Sequence, residues 1–232
     1  MTPPDWSAAG LLVLALVWAA YFVLHSTLAS LTAKEWVDRH WPALNPRYRL
    51  LYNGLAVVLL PIPLYLMYRT NGPGLWAWTG WAGWLADGLA LLAVFGFLYS
   101  TRWYDMGEFL GLRQWRQREH AIKDPMRLRI SPLHRFVRHP WYSLGLVILW
   151  TRDMDPALLV SVVAVTVYLV IGARLEERKL LAFHGQSYAR YRQRVPGLVP
   201  LPGRHLSRKQ ARALEAEAIL ERTRDDEGTA GG

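Results

Sequence analysis

Residues 8–31 read AAGLLVLALVWAAYFVLHSTLASL, a run without Asp, Glu, Lys or Arg. A helix of about 20 apolar residues crosses the hydrocarbon core of a bilayer, so this run predicts a membrane-spanning helix. Four further apolar segments follow at 50–68, 81–99, 141–150 and 156–173. The fold class that they predict is all-α, an integral membrane protein with five transmembrane helices. The fourth segment is short for a crossing, and we expect its helix to continue into the preceding loop.

The charged residues of the loops predict the orientation of the chain in the membrane. Basic side chains are concentrated in the loop before residue 50, in the loop 102–140 and after residue 173, whereas the other two loops carry few. Because basic loops stay in the cytoplasm, we expect the N-terminus outside and the C-terminus inside, in a bacterial inner membrane. The net charge of +9 then reflects contact with anionic membrane lipid and not with nucleic acid. The absence of Cys excludes thiolate metal sites and Cys nucleophiles.

The chain divides by composition into two parts. Residues 1–203 hold all the apolar segments and form one membrane domain, with a cytoplasmic catalytic cap made from the third loop and the region after the fifth span. Residues 204–232 are polar and rich in Ala, Glu and Arg. They predict an exposed helix over about 207–222 and then a disordered end.

Two polar groups bracket the apolar hairpin 141–173 on one side of the membrane. Arg138-His139-Pro140-Trp141-Tyr142 enters the hairpin, and Glu176-Glu177 leaves it. Ionisable groups at a membrane boundary cost energy to hold there and usually have a function, which here we interpret as binding a charged cofactor. The alternative is that Glu176-Glu177 neutralises the neighbouring Arg174, Arg178 and Lys179 through weak local ion pairs.

Other kinds of site are not supported by the spacing. His120, His134 and His139 are separated by fourteen and five residues, which fits no zinc pattern, so we expect no metal. The sequence contains no Walker A loop and no GxGxxG motif after a predicted strand, so it has no familiar nucleotide-binding loop. The loop that carries these histidines could also be a solvated cytoplasmic loop, but interleaved bulky apolar residues indicate that part of it packs.

The polar groups with the hairpin between them resemble the signature of integral-membrane methyltransferases, which include isoprenylcysteine carboxyl methyltransferases and phospholipid N-methyltransferases. The stretch LEERKLLAFHGQSYARYRQRVPGLVPLP is also similar to their C-terminal region. The resemblance implies S-adenosylmethionine at the cytoplasmic end of the hairpin. It places His139, Pro140 and Tyr142 at the cofactor, with Glu176 holding it from the other side. Further candidates for cofactor contact are His134, Glu177 and Tyr188, and the alternative for Tyr188 is an anchor at the membrane interface. His134 stands where the group often has Tyr, and Leu144 where it often has Gly.

More of the chain resembles one branch of this group, the NnrU-like proteins and methanethiol S-methyltransferases. The similar stretches are His25-Ser26 with Ala29-Ser30, the sequence RYRLLYN at 47–53, and EFLGLRQ at 108–114. This branch implies methylation of a small thiol and makes Gln114, Asn53 and His25 candidate substrate residues. For Asn53 and His25 we favour interhelical hydrogen bonds as the alternative role.

The chemistry of a thiol acceptor suggests the catalytic residues. A thiol reacts as its thiolate, which a site near Arg138 would favour, and Glu108 or His139 would accept the proton. Two alternatives remain: a methyltransferase with a lipid or isoprenylcysteine carboxyl acceptor, and a non-catalytic NnrU-like accessory protein. The oligomeric state is not predicted by the sequence.

Overall fold

The computed structural model describes residues 7–118 and 128–230, with side chains up to residue 221. In this part of the chain the regular structure is helical, apart from one isolated bridge between Trp76 and Met154. The helices are α1 Ala8–Ala29, α2 Leu31–His40, α3 Asn45–Leu59, α4 Pro61–Arg69, α5 Gly80–Ser100, α6 Met106–Leu110, α7 Leu112–Gln117, α8 Pro140–Trp150, α9 Pro156–Arg194 and α10 Arg208–Ala230. Short 3₁₀ helices occupy Pro42–Leu44, Thr101–Trp103 and Leu133–Arg135.

The protein is an all-α integral membrane protein. Within the described residues, four helical segments are long and apolar enough to cross a membrane, and they lie in Ala8–Ala29, Pro42–Arg69, Gly80–Trp103 and Pro156–Arg194. The fifth expected span, α8, has 11 residues and is about 16 Å long at the usual helical rise. This length is about half of the hydrocarbon thickness, so a fifth crossing stays a prediction.

Prolines and one glycine interrupt the long helices. Pro61 and Pro63 lack the backbone N–H that an uninterrupted helix needs, and α3 ends at Leu59 before α4 begins at Pro61. The helix that contains the predicted span 156–173 is longer than the span, since α9 has 39 residues and is about 58 Å long. Its apolar part lies at 156–173, where the sequence predicts the span, and the part after residue 173 is largely polar. Gly185, at φ +47°, interrupts this extension.

The described chain forms two compact units, and helices α5, α8 and α9 contribute residues to both. The first unit comprises Met1–Leu92, Tyr104–Asp124 and Leu149–Tyr168. Its core contains Leu14, Trp18 and Ala157. The indole of Trp18 donates a hydrogen bond to the Ser161 hydroxyl at 2.9 Å, which fixes α1 against the first part of α9.

A second feature of this unit is the close approach of α6 and α7 to α3. Gly111 separates α6 from α7 in the left-handed region at φ +88°. A Cβ atom at this position would lie 2.7 Å from the backbone nitrogen of Leu50. Glycine is therefore required both by the backbone conformation and by the contact with α3.

The second unit comprises Ala93–Trp103, Pro125–Ile148 and Leu169–Gly232. Its core combines residues from the end of α9, from α10, from the segment between these helices and from the segment before α8, namely Tyr188, Tyr191, Val195, Leu206, Ala211, Leu214 and Ile130. The indole of Trp141 donates to Ser100 at 2.6 Å within the same unit, joining α8 to the end of α5.

The C-terminal tail differs from its prediction. Its helix begins at Arg208 with a capping box, in which Gln210 N donates to the Ser207 hydroxyl and the Gln210 side chain accepts from Ser207 N. The helix α10 extends to Ala230, beyond the expected end near residue 222, and the disordered end stays a prediction. The helix is also not fully exposed, because Ala211, Leu214 and Ala218 recur at helical spacing and are buried.

Candidate functional site

The backbone of Arg138 and His139 is fixed by the segment that follows α9. Arg138 N donates to Pro196 O at 2.9 Å, and His139 N donates to Gly197 O at 3.1 Å. One turn later, the Ser143 hydroxyl donates to Leu198 O at 2.6 Å. Pro140 occupies the first position of α8, where a residue without an N–H is tolerated. These bonds determine where the side chains at the start of α8 point.

The imidazole of His139 lies between the two carboxylates of α9. Its Nε2 is 3.1 Å from Glu177 Oε1, its Nδ1 is 3.4 Å from Glu176 Oε2, and its side chain is only 4% exposed. Burial alone would lower the pKa of His139, but the hydrogen bonds to Glu176 and Glu177 outweigh burial and raise it. The imidazolium form therefore fits this position.

Arg138 is held by the same acid and by backbone carbonyls. Its Nη2 lies 2.7 Å from Glu177 Oε1, and its Nε donates to the same oxygen at 2.9 Å. Its Nη1 donates to the carbonyls of Arg192 and Val195. Burial raises the pKa of Glu177, but hydrogen bonds from His139 and Arg138 outweigh burial and lower it. Glu177 is therefore an ionised acid whose oxygen already accepts from two cations.

Tyr142 and Glu176 are brought together, as the sequence leads us to expect. The Tyr142 hydroxyl donates to Glu176 Oε2 at 3.4 Å, and the ring of Tyr142 stacks on His139 with centroids 5.4 Å apart. The Glu176 side chain is 45% exposed, compared with 13% for Glu177. Glu176 is thus the carboxylate of this group that a ligand can reach.

We call Arg138, His139, Glu176 and Glu177 the Arg138 cluster. With His139 protonated, its two cations balance its two anions, so it carries no net formal charge. Such balance is what allows ionised groups to be partly buried. The exposed edge, formed by Glu176 and Tyr142, offers carboxylate oxygens and an aromatic ring, which suit a positively charged ligand.

His134 and Tyr188 lie in the same unit as the Arg138 cluster. His134 Nδ1 is 2.7 Å from the Ser131 hydroxyl, and the carbonyl of His134 accepts from the Tyr191 hydroxyl at 2.6 Å. Burial, together with the charge of His139, lowers the pKa of His134 to about 4, so its ring is neutral at neutral pH. Tyr188 is 1% exposed, burial raises the pKa of its hydroxyl, and that hydroxyl has no hydrogen-bond partner within the described residues.

The other candidate residues belong to the first unit. Asn53 donates to the carbonyls of Phe109 and Leu110 at 3.3 and 3.4 Å, the interhelical bonding that we favoured for it. The Glu108 carboxylate lies 3.3 Å from Arg113, which also lies 3.4 Å from Asp105. Gln114 is 5% exposed on α7.

His25 lines a small cavity between α1 and α3. The cavity is otherwise lined by Tyr21, Leu24, Leu28, Tyr52, Leu55, Ala56 and Leu59. Unlike Asn53, His25 has no hydrogen-bond partner for its Nδ1 in the described part of the chain. Its expected interhelical bond is therefore not formed through that atom.

Among the side chains that the structure describes, no group of three His, Asp or Glu residues is arranged to hold a metal ion. His120, one of the three loop histidines, lies outside the described residues.

Several residues that build the site were not identified from the sequence. Ser131, Ser143 and the carbonyls of 196–198 position the Arg138 cluster or His134 through hydrogen bonds. The only signal for them was the Val195-Pro196-Gly197 segment, within the stretch that resembles membrane methyltransferases. Backbone carbonyls carry no side-chain signature, so their role becomes visible only in the fold.

Comparison with known proteins gives relatives over most of the chain. A methanethiol S-methyltransferase of a Pseudomonas species is 32% identical over 211 residues, covering 84% of this chain and 75% of that protein. The methanethiol S-methyltransferase of Mycobacterium tuberculosis is 32% identical over 196 residues, covering 80% and 76%. Nurim of Bos taurus is 28% identical over 177 residues, covering 70% and 64%. No family model matches the chain, and no solved structure matches it.

Proposed function

Because the chain belongs to the family of integral-membrane methyltransferases that includes the methanethiol S-methyltransferases, we propose that it transfers a methyl group from S-adenosylmethionine to a small thiol. The observation that carries this proposal is the Arg138 cluster, in which one exposed carboxylate, Glu176, adjoins Tyr142. The relatives support a thiol as the acceptor, since two of them are named for methanethiol.

The residues of the exposed edge fit the cofactor chemically. S-adenosylmethionine supplies a methyl group on a sulfonium, which is already a good leaving group, together with an ammonium and ribose hydroxyls. Glu176 can accept hydrogen bonds from an ammonium or a hydroxyl, and the Tyr142 ring offers a face to a cation. His139 orients Glu176, and Arg138 with Glu177 holds His139 in place. The chain thus contributes alignment and charge complementarity more than acid–base power.

The contacts of the cluster limit which residue takes the proton of the thiol. Both nitrogens of His139 already face carboxylates, so this imidazolium is poorly suited to accept a proton. Arg138 is likewise held by Glu177 and two backbone carbonyls, and we assign it a positioning role instead of direct stabilisation of the thiolate. Glu108 is the other acceptor that the sequence suggests, and its side chain is 36% exposed.

The orientation in the membrane belongs to this proposal. Basic residues gather in alternate loops, which supports a cytoplasmic C-terminus and an inner-membrane location. Reporter fusions at the two termini would test it. Activity of a cytoplasmic reporter at the N-terminus would contradict it.

The test of the function uses the purified full-length protein in detergent or nanodiscs. Calorimetry measures binding of S-adenosylmethionine, and gas chromatography measures dimethyl sulfide formed from methanethiol. We expect binding and product in the wild type, and loss of both in Glu176→Ala and His139→Ala. Asp87→Asn is the matched control, because Asp87 is 66% exposed and forms a surface pair with Arg152.

Two other outcomes would replace the proposal. Cofactor binding with methylation of an isoprenylcysteine or a phospholipid, but not of methanethiol, would assign the lipid acceptor. No binding of S-adenosylmethionine to the folded protein would favour a non-catalytic accessory role.

A further inference from the structure

The C-terminal helix α10 packs on the part of the second unit that carries the site residues. Ala211 and Leu214 of α10 share one core with Tyr188, Tyr191 and Val195 at the end of α9. Before α10 begins, Leu206 N donates to Arg135 O at 3.0 Å, and Arg135 Nε donates to Leu206 O at 2.8 Å. The helix is therefore joined to the segment 130–139 as well as to α9.

Glu221 of α10 binds the point where α9 is interrupted. The left-handed backbone at Gly185 ends one helical stretch, and the following turn presents N–H groups without partners inside the helix. Glu221 Oε2 accepts from Ser187 N at 3.2 Å. A carboxylate at the start of a helical stretch is favoured by both the hydrogen bond and the helix dipole. Glu221 thereby caps residues 186–194 from a different helix.

Glu215 of α10 binds the other side of the site. Its Oε1 accepts from the backbone nitrogen of Ile130 at 2.6 Å. Ile130 precedes Ser131, whose hydroxyl contacts His134. The carboxylate thus fixes the chain immediately before the first candidate cofactor residue.

The segments that Glu215 and Glu221 bind are connected to the Arg138 cluster by further hydrogen bonds. The segment capped by Glu221 contains Tyr191, whose hydroxyl donates to the carbonyl of His134. The carbonyls of Arg192 and Val195, at the end of the same segment, accept from Arg138. Arg138 in turn binds Glu177, which binds His139. Displacement of α10 would therefore remove support from His134 and from Arg138.

We propose that Glu215 and Glu221 are positioning residues of the cofactor site, through which α10 keeps the segments 130–139 and 186–195 in the geometry that binds the cofactor. The proposal rests on the proposed function for the identity of the cofactor. It gives the tail a role in catalysis that its polar composition did not indicate.

A matched control lies on the same helix. Glu217 pairs with Arg190 at 3.1 Å, but the side chains are 42% and 54% exposed, and such surface pairs contribute little. The experiment compares Glu215→Ala and Glu221→Ala with Glu217→Ala in the full chain. Calorimetry measures the Kd for S-adenosylmethionine well below the melting temperature. Histidine-labelled NMR measures the titration of His134 in the absence of cofactor.

We expect Kd to rise about tenfold in Glu215→Ala and Glu221→Ala, since each variant loses a charge-assisted hydrogen bond. The pKa of His134, held at about 4 chiefly by burial, should rise toward the ordinary histidine value as water gains access. Glu221→Gln keeps an acceptor oxygen and should recover most of the affinity. Glu217→Ala should match the wild type in both measurements.

The proposal is overturned if Glu215→Ala and Glu221→Ala change only the melting temperature, leaving Kd and the His134 titration as in Glu217→Ala. That result would make α10 a purely structural element. If the wild type itself binds no S-adenosylmethionine, the proposed function fails, whereas the His134 titration still tests whether α10 positions the site.

Discussion

Two clusters in the molecule each contain an arginine and two carboxylates, yet they differ in environment. In the first unit, Arg113 lies 3.4 Å from Asp105 and 3.3 Å from Glu108, with all three side chains between 36% and 48% exposed. We call these three the Arg113 cluster. In the Arg138 cluster, Arg138 lies 2.7 Å from Glu177, and these side chains are 12% and 13% exposed. The same residue types therefore form a solvated group in one place and a desolvated one in the other.

The difference follows from the sequence separation of the partners. The Arg113 cluster joins residues 105–113, which the short helices α6 and α7 bring together locally, and Asp105 also caps α6 through Glu108 N at 3.0 Å. The Arg138 cluster joins 138–139 to 176–177 and therefore requires the folded second unit. Proximity in sequence gives weak surface pairs, whereas long-range convergence gives a preorganised site.

The largest effect should come from Glu177→Ala. The substitution leaves Arg138 and the protonated His139 partly buried without their shared anion, and breaking such a pair is expected to cost about 3–5 kcal/mol of the free energy of unfolding. Thermal unfolding in detergent measures it, with Glu217→Ala as the exposed control. If Glu177→Ala had the same melting temperature as the wild type, the two clusters would not differ in energy as their burial indicates.

Glu176→Gln should separate binding from stability within the Arg138 cluster. Because Glu176 is 45% exposed, its loss should change stability by less than about 1 kcal/mol. Because Glu176 is the carboxylate that a ligand can reach, the substitution should raise the Kd for S-adenosylmethionine about 10- to 100-fold. Tyr142→Phe removes only the hydroxyl and should have a smaller effect. Equal Kd values for Glu176→Gln and wild type would contradict the assignment of Glu176 to the cofactor.

The pH dependence of stability should distinguish His134 from the charged pair beside it. Because the pKa of His139 is raised on folding, this residue contributes stability that is fully present below pH 6.5 and is lost as the pH rises through the pKa of the folded state. Because the pKa of Glu177 is lowered on folding, this residue contributes stability that is fully present above pH 4.5 and is lost as the pH falls through the pKa of the folded state. Both contributions are therefore complete between 4.5 and 6.5.

His134 acts in the opposite direction within this window. Its pKa is lowered to about 4, so below pH 6.5 His134 binds a proton in the unfolded chain but not in the folded chain, which destabilises the fold. We expect the wild type to lose on the order of 2 kcal/mol between about pH 6.5 and pH 5, and His134→Gln to remove most of that slope. Melting curves across this range provide the measurement, and identical slopes in both proteins would show that His134 is solvated.

The sequence predicted the elements whose cause is local or compositional. Apolar runs predicted the all-α membrane fold, and the polar residues at both ends of the hairpin 141–173 predicted the meeting of Tyr142 with Glu176. The helix α9 continues beyond the apolar segment 156–173, because 174–184 contains good helix formers and neither Pro nor Gly.

The packing of the tail could not be predicted in the same way. Glu215 and Glu221 bind backbone nitrogens of Ile130 and Ser187, and a backbone nitrogen leaves no mark in the sequence. The buried face of α10 consists largely of Ala, which gives a weak amphipathic pattern. Long-range side chain to backbone bonds therefore account for most of what the sequence did not reveal about the site.

The smallest effect on stability should come from Arg113→Ala. Its carboxylate partners remain half-exposed and solvated, so we expect a loss below about 1 kcal/mol, in contrast to Glu177→Ala. The Arg113 cluster nevertheless contains Glu108, which the sequence suggests as a proton acceptor. Glu108→Gln should therefore lower the rate of thiol methylation, while the melting temperature and the Kd for S-adenosylmethionine stay near their wild-type values. Since a thiolate forms without help at high pH, the rate should recover as the pH rises toward the pKa of the thiol. A rate that stays low at high pH would assign Glu108 to structure, whereas recovery would assign it to proton transfer.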